Sequence, residues 1–544
     1  MSQATGATVR RATGSVLITL ASAQFLMTLD SSVMNVSIAT VAEDVGTTVT
    51  GVQTAITLYT LVMAMCMVTG GKIGSIIGRK RAFSIGCVIY GLGSGTTAIA
   101  PNLTILIIGW SVLEGIGAAL ILPAIVALVA GNFPQAGRPR AYGLVMAAGA
   151  IAIAIGPLLG GLATTYATWR LVFAGEVLVV IAILFLARRL DDPPVDVREH
   201  LDLIGAVLSA VGLGAIVLGI LRASTWGLFL PKAGAPEIFG LSPVVWLELG
   251  GLLVLWIFMT WERHLETSER EPLIRPAMFS NRQLTGGLVM FFFQYLIQMG
   301  VFFVIPLFLS VALGLSAIGT GVRITPLSIT LLLAAAGVPK FFPSASPRFV
   351  VQAGLLAMLA GTISLFAALD VGAGAEIVTV PLLFIGAGIG ALASQLGSVA
   401  VSAVPDDEAP SVGGLQNTAT NLGASVGTAL AGSVMIIVLT TSFLQGASAD
   451  PRISDELERQ ATAELGSGIP FLSDAQVEQA AADAGVAPEV TAAAIDANEA
   501  ARIAGLRAAL AVLAAIGMVA LFFTRRIPAT QPGQDPADTD ELVT

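Results

Sequence analysis

The sequence predicts an all-α integral membrane protein built as a bundle of transmembrane helices. Its 544 residues are 55% hydrophobic and only 12% charged, and the mean hydropathy is +0.86. Soluble domains carry about 25% charged residues, so this much apolar surface requires lipid as its solvent. Apolar runs near the roughly 20 residues that cross a bilayer recur along the chain. We predict fourteen spans, at 16–41, 51–70, 82–100, 104–129, 141–163, 170–187, 203–222, 244–261, 285–312, 319–338, 349–369, 377–400, 412–443 and 502–524.

A polar stretch that contains prolines, RRLDDPPVDVREH, separates the first six predicted spans from the rest. Transporter folds are commonly built from repeated sets of helices, so we expect two six-helix halves with two inserted helices between them. The expected parts are an N-terminal tail at 1–15, a first half at 16–187, a linker with the inserted helices at 188–283, a second half at 284–524 and a C-terminal tail at 525–544.

Basic residues are distributed unevenly over the predicted loops. Most of the 27 lysines and arginines fall on the face that holds both termini, among them Arg79, Lys80, Arg188 and Arg189. Cytoplasmic loops of membrane proteins carry an excess of lysine and arginine. We therefore predict a multi-pass protein of the cell (inner or plasma) membrane with both termini in the cytoplasm. The acidic loop 444–501 is then outside, as a solvated helical hairpin or, alternatively, as a lid over an outward-facing cavity.

The sequence lacks the residues that several kinds of chemistry require. Cys66 and Cys87 lie within predicted spans, and His200 and His264 lie in polar connections, so we expect neither a disulfide framework nor a metal site. The sequence lacks the glycine-rich phosphate-binding pattern that ends in Lys-Ser or Lys-Thr. We expect no cofactor and no nucleic-acid partner. Active transport by this chain would use an ion gradient, and the expected partners of a monomer are the lipid bilayer, a small-molecule substrate and protons.

Three acidic residues fall in the middle of apolar spans: Asp30, Glu114 and Glu176. An ionised side chain at the bilayer centre costs roughly 2.5–3.5 kcal/mol on insertion scales. These residues must therefore face a cavity, find polar partners or hold protons, and a protonated packing group is the alternative for each. Arg323 stands at the outer start of its span, as a gate or substrate contact or as an ordinary interface anchor. All four are candidates for proton coupling or substrate binding.

The fifth predicted span contains AIAIGPLLGG, which combines a proline with closely spaced glycines. Pro157 lacks a backbone donor and bends a helix. Gly156, Gly160 and Gly161 let a neighbouring helix approach closely. The pattern predicts a kinked packing seam.

Candidate substrate contacts lie in the predicted second half. The stretch FFFQYLIQMG places Phe292, Gln294, Tyr295 and Gln298 on one span, and Asn417 lies near the cytoplasmic end of the thirteenth span. Apolar pockets with a few polar groups suit amphiphilic organic molecules; the alternative is aromatic packing against lipid. Acidic residues in such a cavity would favour a cationic substrate, an effect that protonation would cancel.

Three stretches together resemble signature motifs of the major facilitator superfamily, in its fourteen-span drug:proton antiporter branch. LDSSVMNVSIATV looks like the first-span signature, with Asp30 and Asn35 at its marked positions. AIAIGPLLGG is similar to the antiporter motif G-x-x-x-G-P-x-x-G-G, with Ala152 in place of the first glycine. GKIGSIIGRKR resembles the cytoplasmic turn motif G-x-L-A-D-R-x-G-R-K, and its matching residues are Gly71, Gly78, Arg79 and Lys80. The resemblance covers roughly residues 15–525 and implies the major facilitator fold.

The turn motif departs from the superfamily's pattern at Ser75, where the motif has an aspartate. In the superfamily that acid pairs with a base of the motif and latches the cytoplasmic side shut. A serine cannot form the ion pair, so the resemblance implies a weakened latch. Glu43 and Asp44 offer no replacement, because the predicted topology places both of them outside.

Two further departures add acids to the first half. Ser111 and Glu114 stand where the fourth span of the superfamily has an arginine linked to proton coupling and a glutamine, and Glu176 replaces a common asparagine of the sixth span. These replacements lead to a hypothesis: the proton cycle runs through Asp30, Glu114 and Glu176 rather than through an arginine-aided pair.

Taken together, the residues and the resemblance predict a transporter and not an enzyme. The leading prediction is proton-coupled export (antiport) of small amphiphilic compounds or drugs by alternating access. An uncoupled facilitator, or an exporter of an endogenous lipid or metabolite, is the alternative. A membrane receptor or scaffold without transport is a third class, which the acids within the spans oppose.

Overall fold

The structure is a computed structural model that describes residues 2–191, 200–232, 234–453 and 471–531 of the chain. Within these ranges the protein is helical, with no β-strand, which confirms the all-α class. The long helices, numbered in chain order, are α1 (Ser2–Asp44), α2 (Val49–Ile77), α3 (Arg79–Ala98), α4 (Leu103–Asn132), α5 (Arg138–Tyr166), α6 (Arg170–Ala187), α7 (Leu203–Trp226), α8 (Pro243–Thr267), α9 (Arg282–Ala312), α10 (Ala317–Phe341), α11 (Pro347–Ala368), α12 (Thr379–Val401), α13 (Ala409–Ala449) and α14 (Pro488–Phe523).

Each predicted span falls on one of these helices, and α1, α13 and α14 extend beyond their predicted spans. Twelve helices in the described ranges are long and apolar enough to cross a bilayer. The helices α3 and α5, at the third and fifth predicted spans, are not among these twelve. The fourteen-span count therefore stays a prediction, although α5 packs along α1 and α3 packs against α4 and α6 inside the bundle.

Two sets of helices pack among themselves, with a pair of helices beside them. In the first set α1 packs on α5, and α3 on α4 and α6; in the second, α9 packs on α13 and α14, and α12 on α10 and α11. The helices α7 and α8 pack on each other, and α7 also touches α2 and α13. We call the two sets, α1–α6 and α9–α14, the first and second halves. The boundaries predicted for the five parts of the chain stay predictions. In the linker, 192–199 lie outside the described residues, and in the C-terminal tail, 532–544 do.

The halves meet along α5, which packs against α10 and α12, and along α13, which packs against α2 and α4. Glycine permits the close approach at Gly71, where an added Cβ would lie 2.6 Å from the carbonyl oxygen of Pro410. At Gly143 an added Cβ would lie 2.7 Å from the carbonyl oxygen of Ala335. Both contacts lie near the helix ends that adjoin the connections at 78, 133–137 and 402–408. We call this the basic end of the bundle.

The connection between α2 and α3 is shorter than predicted. Gly71 to Ile77 remain helical, and the chain turns at one residue, Gly78, whose φ of 96° is favourable only for glycine. Gly71 therefore contributes to the contact between halves rather than to a turn.

The predicted outer loop 444–501 is partly helical, as expected. The helix α13 runs on to Ala449, a short helix spans Asp474–Asp483, and α14 begins at Pro488, while residues 454–470 lie outside the described residues. Arg452 lies 2.6 Å from Asp450 and 2.8 Å from Asp496, and its hydrogen bonds lower the pKa of Asp450 to about 2. Whether this segment is a hairpin or a lid stays open.

Candidate functional site

Three carboxylates from three helices meet inside the first half. Asp30 of α1, Glu114 of α4 and Glu176 of α6 each place an oxygen within 4.8 Å of the other two. All three side chains are buried, with exposed fractions of 0%, 0% and 2%. The sequence identified each residue as an intramembrane acid, and the structure brings them together. We call this set the carboxylate cluster.

Local backbone structure places Glu114 in the carboxylate cluster. The stretch Ile107–Glu114 of α4 is a π-helix, a wider turn that is frequent at functional sites. On the facing helix Gly93 makes room for the side chain, since a Cβ there would lie 2.6 Å from Cγ of Glu114. The sequence analysis did not detect this turn, because it has no sequence signature comparable to a proline or a glycine cap.

Polar side chains bind each member of the carboxylate cluster. The indole Nε1 of Trp110 donates to both carboxylate oxygens of Asp30, at 2.8 and 2.9 Å. The hydroxyls of Ser94 and Tyr90 donate to Oε2 of Glu176, at 3.1 and 3.3 Å. The hydroxyl of Thr97 lies 3.3 Å from Oε1 of Glu114. Trp110, Ser94, Tyr90 and Thr97 are buried, so the cluster is shielded from lipid by its own donors.

The carboxylate cluster has no neutralising cation among the described side chains. None of their ion pairs includes Asp30, Glu114 or Glu176. Oε2 of Glu114 and Oε1 of Glu176 are buried without a hydrogen-bond partner. Like charges at this separation in a buried site oppose simultaneous ionisation. The arrangement can therefore take up protons, and three such oxygens could also ligate one hard cation.

Ser111, which stands at the position of the superfamily's arginine, has a structural role. Its hydroxyl donates to the backbone carbonyl of Ala55 at 2.8 Å and links α4 to α2. It adds no charge to the carboxylate cluster, so Glu114 and Glu176 are not balanced from that position.

A cavity of about 350 Å³ lies between the two halves, bordered by residues of α1, α2, α4, α5, α9, α10, α12 and α13. Of the predicted substrate contacts, Gln294, Tyr295, Gln298 and Asn417 line it. Phe292 does not line it; the ring packs edge-on against Phe293.

The cavity wall contains no charged side chain among the described residues that form it. Of the three alternatives for the intramembrane acids, the structure shows polar partners, because the carboxylate cluster lies behind the wall with its own hydrogen-bond donors. Tyr59 connects the two sites: it lines the cavity, and its ring stacks on Trp110 at 5.1 Å between centroids. Trp110 in turn binds Asp30. The acids are thus one aromatic layer away from a molecule in the cavity.

The antiporter-motif seam joins α5 to α1. Gly156 packs against Ser32, and at Gly160 an added Cβ would lie 3.2 Å from Cα of Val33. The helix α5 continues from Arg138 to Tyr166 without interruption, so the predicted seam forms within one continuous helix. Gly161 is half-buried beside it. The side chains of Pro157 and Asn35 lie outside those that the structure describes.

Arg323 lies on α10 with its side chain half-buried, and it does not line the cavity. The structure thus places it apart from both the carboxylate cluster and the cavity. Its suggested role as a gate or substrate contact gains no support from this position.

An acidic residue that the sequence did not predict, Asp406, joins the two halves at the basic end. Nη2 of Arg138 lies 3.2 Å from both carboxylate oxygens of Asp406, and Arg79 donates to the backbone carbonyl of Asp406. Asp406 precedes α13, so these contacts join the first half to the second. The hydroxyl of Ser75 is buried without a partner. Ser75 carries no charge for the motif's own ion pair, and the contact between Arg138 and Asp406 joins the two halves at the same end. The weakened latch stays a prediction.

Sequence reasoning missed Asp406, although a signal was present. The run Asp406-Asp407-Glu408 is an acidic group on a predicted basic face, where it needs partners. Glu408 lies 2.6 Å from Arg275, a second pairing at this end. Lys80 donates to the backbone carbonyls of Arg188 and Leu190 and so anchors the chain after α6.

This fold and these sites define a class: a polytopic membrane protein with a cavity between two helical halves, which is the architecture of a transporter. The chain belongs to the Major Facilitator Superfamily, whose family model matches residues 20–428. The resemblance found in the motifs is thereby confirmed, and members of this superfamily are transporters, not enzymes.

Individual relatives agree with this assignment. The chain is 29% identical over 425 residues to the puromycin resistance protein pur8 of Streptomyces alboniger, covering 77% of this chain and 81% of the relative. It is 29% identical over 454 residues to the cephamycin export protein CmcT of Amycolatopsis lactamdurans, covering 82% and 89%. The fold is similar to that of the human organic anion transporter MFSD10, with a TM-score of 0.56 at 12% identity over 95% of this chain and 98% of that one.

Proposed function

We propose that this protein is a secondary active transporter that exports small amphiphilic compounds in exchange for protons, by alternating access. The cavity between the halves is the proposed substrate site, and the carboxylate cluster is the proposed coupling site. Relatives named for puromycin resistance and cephamycin export support export as the direction.

The proposed coupling of transport to protons rests on one observation: three buried carboxylates meet without a cation among the described side chains. The ionised carboxylates repel one another, which favours the binding of a proton. The hydroxyl and indole donors stay in place, so a proton is gained or lost at a low structural cost. The aromatic pair Tyr59 and Trp110 lies between the cavity and Asp30. Occupation of the cavity can therefore displace Tyr59 and Trp110 and change the environment of Asp30.

The energy of a proton gradient suffices for export. One proton that moves through about 100 mV supplies roughly 2.3 kcal/mol, and one pH unit adds about 1.4 kcal/mol. At about 1.4 kcal/mol for each factor of ten, this supports a substrate gradient of several hundred-fold.

The experiment is substrate-induced proton movement in everted membrane vesicles. Vesicles that contain the protein are energised, a ΔpH-sensitive dye is followed, and puromycin, cephamycin and tetraphenylphosphonium are added one at a time. We expect at least one compound to discharge the pH gradient, and only in vesicles that contain the protein. An added sodium pulse in place of the compound tests whether the protein exchanges sodium for protons.

The alternative predicts a different result. If no compound discharges the gradient while labelled puromycin equilibrates across the membrane faster than in control vesicles, the protein is an uncoupled facilitator. A discharge by sodium alone would show that the protein exchanges sodium for protons and would contradict the export of an organic compound.

A further inference from the structure

Three glutamines of the second half line the central cavity, and each has a side-chain oxygen without a hydrogen-bond partner. Gln294, Gln298 and Gln416 all line it, and their side chains are 1%, 4% and 4% exposed. The side-chain carbonyl oxygen of each is buried without a hydrogen-bond partner. A buried carbonyl oxygen without a hydrogen-bond partner is unfavourable, so three of them in one cavity favour a donor from outside the chain.

The spacing turns these amides into one polar surface. Gln294 and Gln298 are four residues apart on α9 and so share a helix face. Gln416 and Thr420, again four residues apart, share a face of α13. Apolar side chains such as Met63 and Phe302 form other parts of the wall. A bound molecule would therefore meet these amides on the second half, polar side chains of α1 such as Gln24 and Ser31 on the first half, and apolar groups on other parts of the wall.

The charge of the wall limits the charge of the ligand. No Asp, Glu, Lys or Arg is among the described residues that line the cavity. The carboxylate cluster lies behind Tyr59 and Trp110 and has its own donors. A cation bound against the glutamines would lose water without gaining a counter-ion in contact, which is unfavourable.

We propose that the cavity selects uncharged amphiphiles that carry at least two hydroxyl or amide N–H donors, which bind the carbonyl oxygens of Gln294, Gln298 and Gln416. This rests on the proposed function only in that the cavity is the transport site. Its volume of about 350 Å³ accommodates a molecule of two or three rings.

The test is equilibrium binding to the purified full-length protein in detergent, without any gradient. The probes are resveratrol, genistein and phloretin as uncharged phenols, their fully methylated ethers without donors, and tetraphenylphosphonium as the cation. We expect at least one phenol to bind about tenfold more tightly than its ether and than the cation. Gln294→Leu should weaken that phenol about tenfold and its ether less, since the ether can accept from the amide N–H but has no donor for the amide oxygen.

Gln445→Leu is the matched control, because Gln445 lies exposed near the end of α13, away from the cavity. Binding of the phenol should be unchanged in this variant. Tighter binding of tetraphenylphosphonium than of every phenol, equal binding of phenols and ethers, or no phenol binding would overturn the proposal. Because binding needs no gradient, a selective phenol that binds but moves no protons in vesicles would refute coupled export alone.

A separate observation concerns four arginines at the basic end. Arg282, Arg348, Arg525 and Arg526 border a pocket of about 710 Å³ whose described lining contains no acidic residue. None of the four takes part in the ion pairs of the described side chains. Arg348 donates through Nε to the carbonyl of Ile527 at 2.8 Å, which holds the chain after α14 across this pocket.

We infer that this arginine pocket binds the phosphate of an anionic phospholipid. The pocket lies where α9 and α11 begin and α14 ends. Basic pockets between transmembrane helices bind the head groups of anionic lipids. Four like charges gathered without an acid repel one another, and a phosphate that bridges them relieves that repulsion.

Thermal unfolding of the purified protein tests this pocket. Phosphatidylglycerol should raise the midpoint by several degrees, whereas phosphatidylcholine and inorganic phosphate should not. The double variant Arg525→Gln/Arg526→Gln should lose the shift, and the matched pair Arg188→Gln/Arg189→Gln, also at the basic end, should keep it. An equal shift in both double variants would overturn the lipid site, and a shift with inorganic phosphate alone would show a free-anion site instead.

Discussion

Asp30→Asn is expected to abolish coupled transport while the substrate still binds. Asparagine keeps the shape of the side chain and an oxygen that can accept from Nε1 of Trp110, which now donates at 2.8 Å. It cannot hold or release a proton. We expect the substrate-induced discharge of the pH gradient to fall at least about tenfold, towards the level of empty vesicles, since the cluster would lose one of its three proton-binding carboxylates.

The fold should tolerate this change. Asparagine removes one of three mutually repelling carboxylates, so the midpoint of thermal unfolding should be equal to or above that of the wild type. Loss of transport with retained stability and retained binding would separate coupling from folding. The measurement is the dye signal in vesicles, together with thermal unfolding and binding of the purified variant.

Asp191→Asn is the matched control, because Asp191 is an exposed acid that follows α6, outside the carboxylate cluster. Glu114→Gln and Glu176→Gln should each reduce coupling as well, since each belongs to the same group of oxygens. A triple variant with all three acids neutralised that still exchanges substrate for protons would contradict the coupling role of the cluster.

Asp406→Asn is expected to open the basic end. Arg138 is almost fully buried, with its side chain 6% exposed, whereas that of Asp406 is 61% exposed. Breaking a buried ion pair costs about 3–5 kcal/mol, and exposure of one partner reduces this to about 1–2 kcal/mol. The ratio of molecules that are closed at the basic end to molecules that are open there should therefore fall about tenfold.

The measurement is maleimide labelling of a cysteine placed in the cavity wall. Ala393→Cys on α12 lines the cavity, and Cys66 and Cys87 are first replaced by serine. In everted vesicles the basic end faces the medium if the predicted topology holds. A membrane-impermeant maleimide should then label the Asp406→Asn protein about tenfold faster.

Asp407→Asn is the control for the labelling experiment. Asp407 is the next residue of the same connection, and it belongs to none of the ion pairs of the described side chains. Labelling in this variant should match the wild type. Equal labelling of Asp406→Asn and Asp407→Asn would mean that the contact between Arg138 and Asp406 does not hold the basic end shut.

The sequence determined the local features of this protein. Hydropathy located the helices, because each transmembrane helix must satisfy its own backbone in lipid and therefore needs its own apolar run. Asp30, Glu114 and Glu176 could be identified as functional candidates for the same reason: a charge within such a run is costly and needs an explanation. The motifs around Asp30, Gly78 and Gly156 were sufficient to indicate the superfamily.

Only the tertiary structure decided which distant residues meet. The carboxylate cluster depends on the packing of α1, α4 and α6 and on the π-helical turn Ile107–Glu114. The latch depends on Asp406, which lies far along the chain from Arg138. Lipid offers no difference in hydrophobicity between packed and separated helices, so close contacts between small residues and polar groups set the packing. Those contacts join residues of different helices, and for that reason the single sequence places the acids in the membrane but does not place them behind the cavity wall.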